Sequence, residues 1–340
     1  MQKIQQLPMS DKKKVLVTGA NGLLGSNVVW CLSHSNEYTA RAMIRKNANT
    51  KALEGTNCEI FEGEITNSND IEKAMVGCKF VIHCAAITSQ HPNNLEHYRK
   101  GNLESTANLL EISHKNNIER FVFVSTANCF TNGSLQNPGD ETSGFMPWLR
   151  ASGYAYSKYL AQQMVLEYVN KFNLSAIIVA PSFLIGPRDA KPSSGTLLLY
   201  ALQNKILFCP PGGKSFVDAE LASQALVNAL TMGKSGMAYL ISGENLSFYN
   251  FFKMVENVSG KKKWIISLPY FLLKAIALGA EAIQKIFKVS LPLSEVNVKL
   301  LCLDNYFTNQ KARKHLALKH TNMQYTIEKT IQWFRQNGYC

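Results

Sequence analysis

The sequence has no paired-cysteine motif and no apolar leader. Eight cysteines are spread over 340 residues and no two of them form a CxxC pair. We therefore expect no metal site and no disulfide framework, but reduced and buried thiols. Residues 1–14 are polar and end in three lysines, so we expect no secretory signal and a cytoplasmic protein. In the apolar stretch 264–287 the longest uncharged run is about ten residues, which is too short to span a bilayer.

Acidic residues are scarce in the last quarter of the chain. Residues 261–340 contain 13 Lys and Arg but only 4 Asp and Glu, so nine of the twelve net positive charges lie there. The excess favours either a solvated basic surface or an anionic partner, and a peripheral contact with a membrane surface is one such partner. No nucleic-acid-binding module accompanies the charge, and we therefore expect no nucleic-acid partner.

Residues 15–25, VLVTGANGLLG, combine a strand, a glycine turn and the start of a helix. Gly19, Gly22 and Gly25 follow an apolar β-branched run and precede an apolar helical pattern. Glycines here allow a sharp turn, a close approach of a pyrophosphate to the backbone, and close packing of the helix on the sheet. The first N–H groups of the helix favour a phosphate at the same place. The stretch predicts a dinucleotide site, although a tight turn alone would give the same spacing.

Strands and helices alternate along the first 180 residues. The predicted strands are 15–17, 38–44, 58–61, 79–83, 119–124 and 174–180. Helices are predicted to begin near residue 69, to cover 95–116, and to include Tyr154 and continue to residue 168. This alternation predicts an α/β protein with a Rossmann-type, doubly wound parallel sheet. We expect a dinucleotide-binding core over 13–180 and a smaller C-terminal substrate-binding lobe over 181–335, with segments of the lobe returning to the core.

Tyr154 and Lys158 lie four residues apart in a helical pattern and therefore share one helix face. A lysine cation about 4 Å from a phenol, at an effective dielectric of about 20, would lower the phenol pKa by on the order of three units before burial opposes it. A phenol shifted in this way can protonate a carbonyl oxygen or deprotonate an alcohol. Tyr156 and Tyr159 have no lysine four residues further on, so we interpret them as packing or pocket residues.

These motifs resemble those of one enzyme superfamily. TGANGLLG near the N-terminus and YAYSK downstream resemble the short-chain dehydrogenase/reductase superfamily. IGPRDAKPS, at 185–193, resembles the extended or atypical branch, in particular its dihydroflavonol-reductase-like, hopanoid-associated and 3β-hydroxysteroid-dehydrogenase-like members. The resemblance covers residues 13–335 and implies an oxidoreductase that transfers a hydride to or from a nicotinamide dinucleotide.

The resemblance implies roles for five catalytic residues. Tyr154 would be the acid and base, Lys158 would hold the nicotinamide ribose, and Asn102 would support a proton-relay water. A hydroxyl after the fifth strand would bind the reacting oxygen, and Thr126 stands where the family has its serine. Adjacent side chains on a strand leave opposite faces, so either Thr126 or Ser125 can face the cofactor, and we rank Thr126 first.

The end of the second strand bears on the choice of cofactor. Arg45 and Lys46 follow this strand, and no acidic residue lies between 39 and 50. A carboxylate here binds the ribose 2′-hydroxyl of NAD, whereas arginine suits a 2′-phosphate. We therefore favour NADP(H) over NAD(H), with exposed turn residues as the alternative interpretation. The complete set of expected cofactor contacts is Thr18, Gly19, Asn21, Gly22, Leu23, Gly25, Arg45, Lys46, Glu64, Ile65, Cys84, Ala85, Ala86, Lys158, Pro181, Ser182 and Phe183.

The loops expected over the nicotinamide favour an apolar or aromatic small-molecule substrate. The segments 88–98, 130–153 and 182–199 carry aromatic and aliphatic side chains. Nucleotide-sugar epimerases and dehydratases commonly have Tyr-Gly after the catalytic hydroxyl, and this chain has Cys129-Phe130, which weakens that alternative. A non-catalytic NAD(P) sensor is a third hypothesis, against which the intact tyrosine–lysine pair argues.

Three further predictions concern the C-terminal half and the assembly. Asp218 is expected to cap a helix. The stretch 264–287 is predicted to form either a lid helix over the site or a helix at a membrane surface. A homodimer through paired helices is common in the resembled superfamily, and we leave it as an expectation.

Overall fold

A seven-stranded parallel sheet forms the centre of the molecule, in the order β10-β6-β5-β4-β1-β2-β3. The computed structural model describes residues 12–287 and 294–340, with the side chains of 281–287 excepted. The polar segment before Lys12, on which the expected lack of a secretory signal depends, lies outside the described residues. The strands are β1 (Lys13–Thr18), β2 (Tyr38–Ile44), β3 (Cys58–Glu62), β4 (Cys78–His83), β5 (Arg120–Val124), β6 (Ala176–Pro181), β7 (Phe183–Ile185), β8 (Ile206–Cys209), β9 (Gly213–Asp218), β10 (Ala238–Ile241), β11 (Glu244–Ser247), β12 (Trp264–Ser267) and β13 (Asp304–Asn305).

Helices cover both faces of this sheet. The α-helices of the described residues, including those of the C-terminal half, are α1 (Leu23–Ser33), α2 (Ser68–Met75), α3 (Leu95–Tyr98), α4 (Ser105–Lys115), α5 (Gly153–Phe172), α6 (Gly195–Gln203), α7 (Ala219–Asn228), α8 (Phe248–Ser259), α9 (Tyr270–Phe287), α10 (Glu295–Cys302), α11 (Gln310–Leu316) and α12 (Met323–Gln336). One buried cluster joins α1, α7 and α11 to the sheet, and another joins α2, α4 and α5 to its opposite face. The predicted doubly wound α/β fold is confirmed.

Strand β1 has consecutive apolar residues, without the alternation of apolar and polar residues that a half-exposed strand would have, because both of its faces are buried. Val15 and Val17 lie in the cluster on one face and Leu16 in the cluster on the other, and all three are fully buried. A parallel strand covered by helices on both faces has no solvent side, so consecutive apolar residues are required. In such a sheet a ligand binds beyond the carboxyl ends of the strands, here in the turn after Thr18 and in the loops after the neighbouring strands.

The C-terminal half builds a second layer and also returns to the sheet. Strands β7, β9, β11 and β13 form a smaller sheet, and β8 pairs with β12 in a separate two-stranded ribbon. An aromatic-rich cluster lies between these strands and helices α6, α8 and α12. Strand β10 pairs with β6 at the edge of the large sheet, as expected for segments that return to the core. The division at residue 180 stays a prediction.

Two segments differ from the sequence-based expectation. The helical stretch 95–116 is interrupted by a π-helical turn at Arg99–Glu104, between α3 and α4. The stretch 264–287 is not one helix, because β12 occupies its first residues and α9 begins only at Tyr270. Within the described part of the chain, we find no helix whose length and apolar character would suffice to cross a bilayer.

Candidate active site

The glycine turn after β1 fits a dinucleotide pyrophosphate because side chains are excluded from it. Gly19 has a φ of 63°, and a Cβ there would lie 2.7 Å from the backbone of Ala85. A Cβ on Gly25 would lie 2.2 Å from the Gly19 carbonyl oxygen. Gly22 is the N-cap of α1 and offers no side chain to its first N–H groups. A bare, positively polarised helix start is what an anionic diphosphate requires.

The other predicted cofactor segments lie at the same edge of the sheet, because they follow the carboxyl ends of parallel neighbours. Arg45 and Lys46 follow β2 and are exposed, and Glu64 and Ile65 follow β3. Cys84, Ala85 and Ala86 follow β4, where the Ala85 N–H donates to Thr18 Oγ1 at 3.3 Å. The Asn21 side chain donates to the Asn49 carbonyl at 3.1 Å and joins the glycine turn to the loop after β2. The residues expected around a dinucleotide are thus brought together, and their contacts with it stay predictions.

The residues after β6 divide between the two layers. Pro181 ends β6, and Ser182 donates through both N and Oγ to the Ile241 carbonyl, at 3.0 and 3.2 Å. The Phe183 ring packs edge-on against Phe216 with the ring centroids 5.3 Å apart. Its partly buried side chain therefore packs against the apolar core of the C-terminal lobe, and the expected contact of Phe183 with the cofactor stays a prediction.

Helix α5 carries Tyr154 in its first turn, two residues after the capping residue Ser152. Ser152 Oγ accepts a hydrogen bond from the Ala155 N–H at 3.3 Å, which fixes where the helix begins. The Thr126 hydroxyl interacts with the Tyr154 phenol and acts to lower its pKa. Ser125 points elsewhere, since its Oγ donates to Gln162 Oε1 at 2.7 Å. Of the two candidate hydroxyls, the structure brings Thr126 to the tyrosine.

Lys158 does not lower the pKa of Tyr154 in this structure, contrary to our expectation. Burial raises the Tyr154 pKa to about 12, and the interaction with Thr126 only partly opposes the rise. The Lys158 ammonium lies 4.2 Å from the centroid of the Phe123 ring, and burial lowers its own pKa to about 8. Four-residue spacing places both side chains on one face, but the lysine extends down toward the sheet, where the aromatic face stabilises the cation.

Asn102 lies in the π-helical turn and uses its whole side chain to join two parts of the site. Its Oδ1 accepts from the Ile87 N–H at 2.7 Å, and its Nδ2 donates to the Ile87 carbonyl at 3.2 Å and to Ser157 Oγ at 2.9 Å. Ser157 Oγ in turn donates to the Tyr154 carbonyl at 2.8 Å. Asn102 therefore holds the loop after β4 against α5. Asn102 thus supports the site from behind, and its implied role in a water relay stays a prediction.

Sequence reasoning missed a buried polar chain behind the site. His83, at the end of β4, lies between Thr18 Oγ1 at 2.8 Å from Nδ1 and Thr106 Oγ1 at 3.0 Å from Nε2. Thr106 donates to the Asn102 carbonyl at 2.7 Å, so its oxygen accepts from His83, whose Nε2 carries the proton. Burial and the Lys158 charge lower the His83 pKa well below its usual value, so the ring is neutral. The one signal was a histidine inside an apolar strand.

The loop 130–153 contributes to an aromatic stack with α5, and a lysine without a described carboxylate partner lies on β9. Phe145 stacks with Tyr159, with the ring centroids 4.5 Å apart, and Tyr156 stacks nearly parallel to both. Lys214, on β9, donates to the Leu300 carbonyl at 3.0 Å, and burial lowers its pKa to about 8. Among the residues whose side chains are described, no carboxylate pairs with it. Sequence reasoning missed Lys214, since only packing reveals its burial.

Asp218 is confirmed as an N-cap. Its Oδ1 accepts from the N–H groups of Glu220 and Leu221 at 2.8 and 3.2 Å, at the start of α7. Its Oδ2 accepts from the Thr326 hydroxyl at 2.6 Å and pairs with Lys329 at the same distance. These bonds occupy the carboxylate and tie α7 to α12, so the residue is structural.

Comparison with known proteins agrees with this geometry. Residues 15–231 match the model of the NAD dependent epimerase/dehydratase family. Similar curated proteins include a putative dihydroflavonol 4-reductase of Synechocystis sp., 25% identical over 336 residues and covering 95% of both chains. A sterol demethylase protein B of Methylococcus capsulatus is 25% identical over 327 residues, covering 95% of this chain and 98% of its own.

Solved structures share the whole fold. The crystal structure of gox2253 superposes with a TM-score of 0.84 at 28% identity, covering 97% of this chain and 99% of that one. The UDP-glucose 4-epimerase of Thermotoga maritima has a TM-score of 0.77 at 18% identity and shows the fold alone, over 95% of this chain and 99% of its own. The family match spans the glycine turn, the Thr126–Tyr154 pair and the start of the C-terminal lobe. The chain therefore belongs to the NAD dependent epimerase/dehydratase family, as an NAD(P)-dependent oxidoreductase of the extended short-chain dehydrogenase/reductase type.

Proposed function

We propose that this oxidoreductase uses NADP(H) to interconvert a carbonyl and a hydroxyl group on a small apolar or aromatic substrate. The interaction between Thr126 and Tyr154 carries the proposal, because it brings an alcohol and a phenol together at the edge of the sheet where the expected cofactor residues lie. The stacked aromatic side chains of Phe145, Tyr156 and Tyr159 support an apolar substrate class. Relatives named for dihydroflavonol and sterol reactions support it too.

The residues of the site divide the chemistry among them. A bound dinucleotide supplies or accepts the hydride. Tyr154 keeps its proton at neutral pH because its pKa is raised to about 12, so its phenol can donate that proton to a carbonyl oxygen as negative charge develops there. Thr126 holds the phenol and offers a second hydroxyl to the same oxygen. Asn102, through Ser157 and Ile87, keeps α5 in register with the loop after β4.

A nucleotide-sugar epimerase is the alternative, and the residues after Thr126 argue against it. Cys129 and Phe130 are buried in an apolar cluster with Ala127 and Phe307, so they offer no polar side chain to a sugar. A screen of ketones and aldehydes for substrate-dependent loss of the NADPH absorbance tests the proposal. Turnover of a nucleotide sugar with retained cofactor and no net absorbance change would favour the epimerase instead.

Exchanging Arg45 for aspartate tests the choice of cofactor. The Arg45→Asp variant should bind NADPH at least about tenfold more weakly and NADH no more weakly, because a charge-assisted bond to the 2′-phosphate is replaced by repulsion. Dissociation constants from quenching of protein fluorescence measure the effect. Arg335→Asp, an equal charge change on the exposed side of α12, is the matched control. Equal weakening for both cofactors would contradict the assignment.

The lowered pKa of Lys158 predicts a pH dependence of cofactor binding. The Lys158 amine is protonated and charged below its pKa of about 8 and neutral above it. The charged form should bind the cofactor more tightly, because it attracts the electronegative oxygen atoms of the cofactor. Affinity for NADPH should therefore be constant below that pH and fall above it, by at most about tenfold per pH unit. In Lys158→Met the decline should vanish and the affinity should be low throughout. A decline that persists in this variant would point to another group, such as Lys214.

A further inference from the structure

The ribbon of β8 and β12 exposes an apolar face to solvent. Ile206 pairs with Trp264 and Phe208 with Ile266 in parallel register, so the four side chains share one face. All four are exposed, and Trp264 keeps 64% of its surface accessible. The alternate residue Leu207 is buried in the lobe core, so the ribbon is apolar on both faces although only one is covered.

Exposed apolar side chains continue along the chain into the first three turns of α9. Only Leu268 and Pro269 separate β12 from α9, and the Leu268 N–H donates to the Cys209 carbonyl at 2.8 Å, which holds the connection against β8. Phe271 is 74% exposed, whereas Ala277 on the opposite side of the helix is buried. We define the apolar face as the nine exposed residues Ile206, Phe208, Trp264, Ile266, Tyr270, Phe271, Leu272, Ile276 and Leu278.

Lysines border the apolar face, and a carboxylate that reaches α9 from outside it, that of Glu295, is paired with Lys274 at 3.4 Å. Lys205, Lys261 and Lys262 are exposed at the start of the ribbon, where the Trp264 N–H donates to the Lys205 carbonyl at 2.9 Å. No aspartate or glutamate occurs in 190–217 or in 257–280, the two stretches that supply the face. Lys263 differs, because it is buried and donates to the carbonyls of Leu202 and Asn204 at 3.1 and 2.8 Å.

This combination fits the surface of a bilayer. Tryptophan, tyrosine and phenylalanine favour the boundary between lipid headgroups and acyl chains, and lysines beside them are attracted to anionic headgroups. We propose that the apolar face, with Lys205, Lys261 and Lys262 at its border, binds the surface of a membrane that contains anionic phospholipids. The ribbon and α9 would lie in the interface without crossing it.

Charge also favours a membrane over a second copy of the chain as the partner of the apolar face. Two copies paired through the apolar face would bring their bordering lysines together without a carboxylate from either supplying stretch, and like charges at a contact oppose association. An anionic lipid surface instead supplies the opposite charge. The proposal does not depend on the proposed function, since every residue of the apolar face lies outside the site around Tyr154.

Flotation with vesicles tests the proposal on the full chain. Wild-type protein should float with vesicles of phosphatidylcholine mixed with phosphatidylglycerol at low salt, and less with phosphatidylcholine alone. Raising the salt should release it, because screening shortens the reach of the lysine charges. Trp264→Ser/Phe271→Ser should reduce the bound fraction by about tenfold or more, since two large apolar side chains no longer leave water. Lys261→Glu/Lys262→Glu should reduce it by about tenfold or more through lost attraction.

Matched variants on other surfaces control for charge and for exposure. Tyr325→Ser removes an aromatic ring that is 61% exposed on α12, and Lys73→Glu/Lys234→Glu reverses two exposed charges elsewhere. Both should float like wild type, and all variants should keep the wild-type thermal midpoint and NADPH affinity. Wild type that stays in the aqueous layer, equal flotation with neutral vesicles, or unchanged flotation of the apolar-face variants would overturn the proposal. So would a dimer that the same substitutions dissociate while no variant binds vesicles.

Discussion

Replacing Tyr154 by phenylalanine is expected to lower kcat by about a thousandfold while the dissociation constant for NADPH stays within about twofold of wild type. The substitution removes one oxygen, that of the phenol whose pKa the Thr126 hydroxyl lowers. The ring remains, so the packing against Tyr98, whose centroid lies 6.3 Å away, is preserved. Steady-state turnover of an identified carbonyl substrate and fluorescence titration of NADPH give the two numbers.

Two neighbouring tyrosines on the same helix provide the controls. Tyr156→Phe and Tyr159→Phe remove the same atom from side chains whose rings stack with Phe145, and both should keep turnover within about threefold of wild type, a small loss beside that expected of a missing proton donor. Turnover of Tyr154→Phe at the wild-type rate would reject the acid–base role. A parallel loss in all three variants would indicate a general disturbance of α5 instead of lost proton transfer.

The central sheet could be predicted because its signals are local. Strand β2 was placed at Tyr38–Ile44 without error, and β1, β3, β4, β5 and β6 differ from prediction by a few residues at most. Each is a short apolar run between turn residues, and alternation with helices leaves few topologies. The π-helical turn at Arg99–Glu104 was not foreseen, because its sequence has the same helical pattern as its neighbours.

The stretch that was assigned wrongly shows the limit of periodicity. Trp264–Ser267 is apolar and lies just before a helix, and only its pairing with β8, more than fifty residues earlier, makes it a strand. A short apolar run is compatible with either structure until a partner strand is known. The exposure of Trp264 and Ile266 could not be inferred from the sequence for the same reason, since apolar residues are buried by default.

The candidate site was predicted as a set of residues more completely than as an arrangement. Spacing and family resemblance predicted Tyr154, Thr126 and Asn102 and ranked Thr126 before Ser125, but both hydroxyls stayed open because the two residues are adjacent and chemically alike. Spacing also overestimated the effect of Lys158 on the phenol, since a long side chain can extend away from its helix neighbour and did so toward Phe123. Directions of side chains depend on contacts that the sequence does not contain.

The second large effect is expected in the glycine turn, where substitutions of Gly25 and Gly22 should distinguish a requirement for folding from a requirement for cofactor binding. In Gly25→Ala the new Cβ would lie 2.2 Å from the Gly19 carbonyl oxygen, so backbone must move at the junction of β1 and α1. We expect the free energy of unfolding to fall by about 3 kcal/mol, and NADPH binding to fall with it. In Gly22→Ala the Cβ meets only that same oxygen, at 3.4 Å, an ordinary contact, so the fold should tolerate it.

Gly22→Ala should nevertheless lose at least about tenfold in NADPH affinity, because the methyl group occupies the place where a pyrophosphate approaches the backbone. Urea unfolding followed by circular dichroism measures the stability of both variants, and fluorescence titration measures their affinity. Gly144→Ala, where a Cβ would meet nothing within 4 Å, is the control and should change neither quantity. If Gly22→Ala bound NADPH as tightly as wild type, the turn would be structural alone, and the dinucleotide would have to bind elsewhere on the sheet.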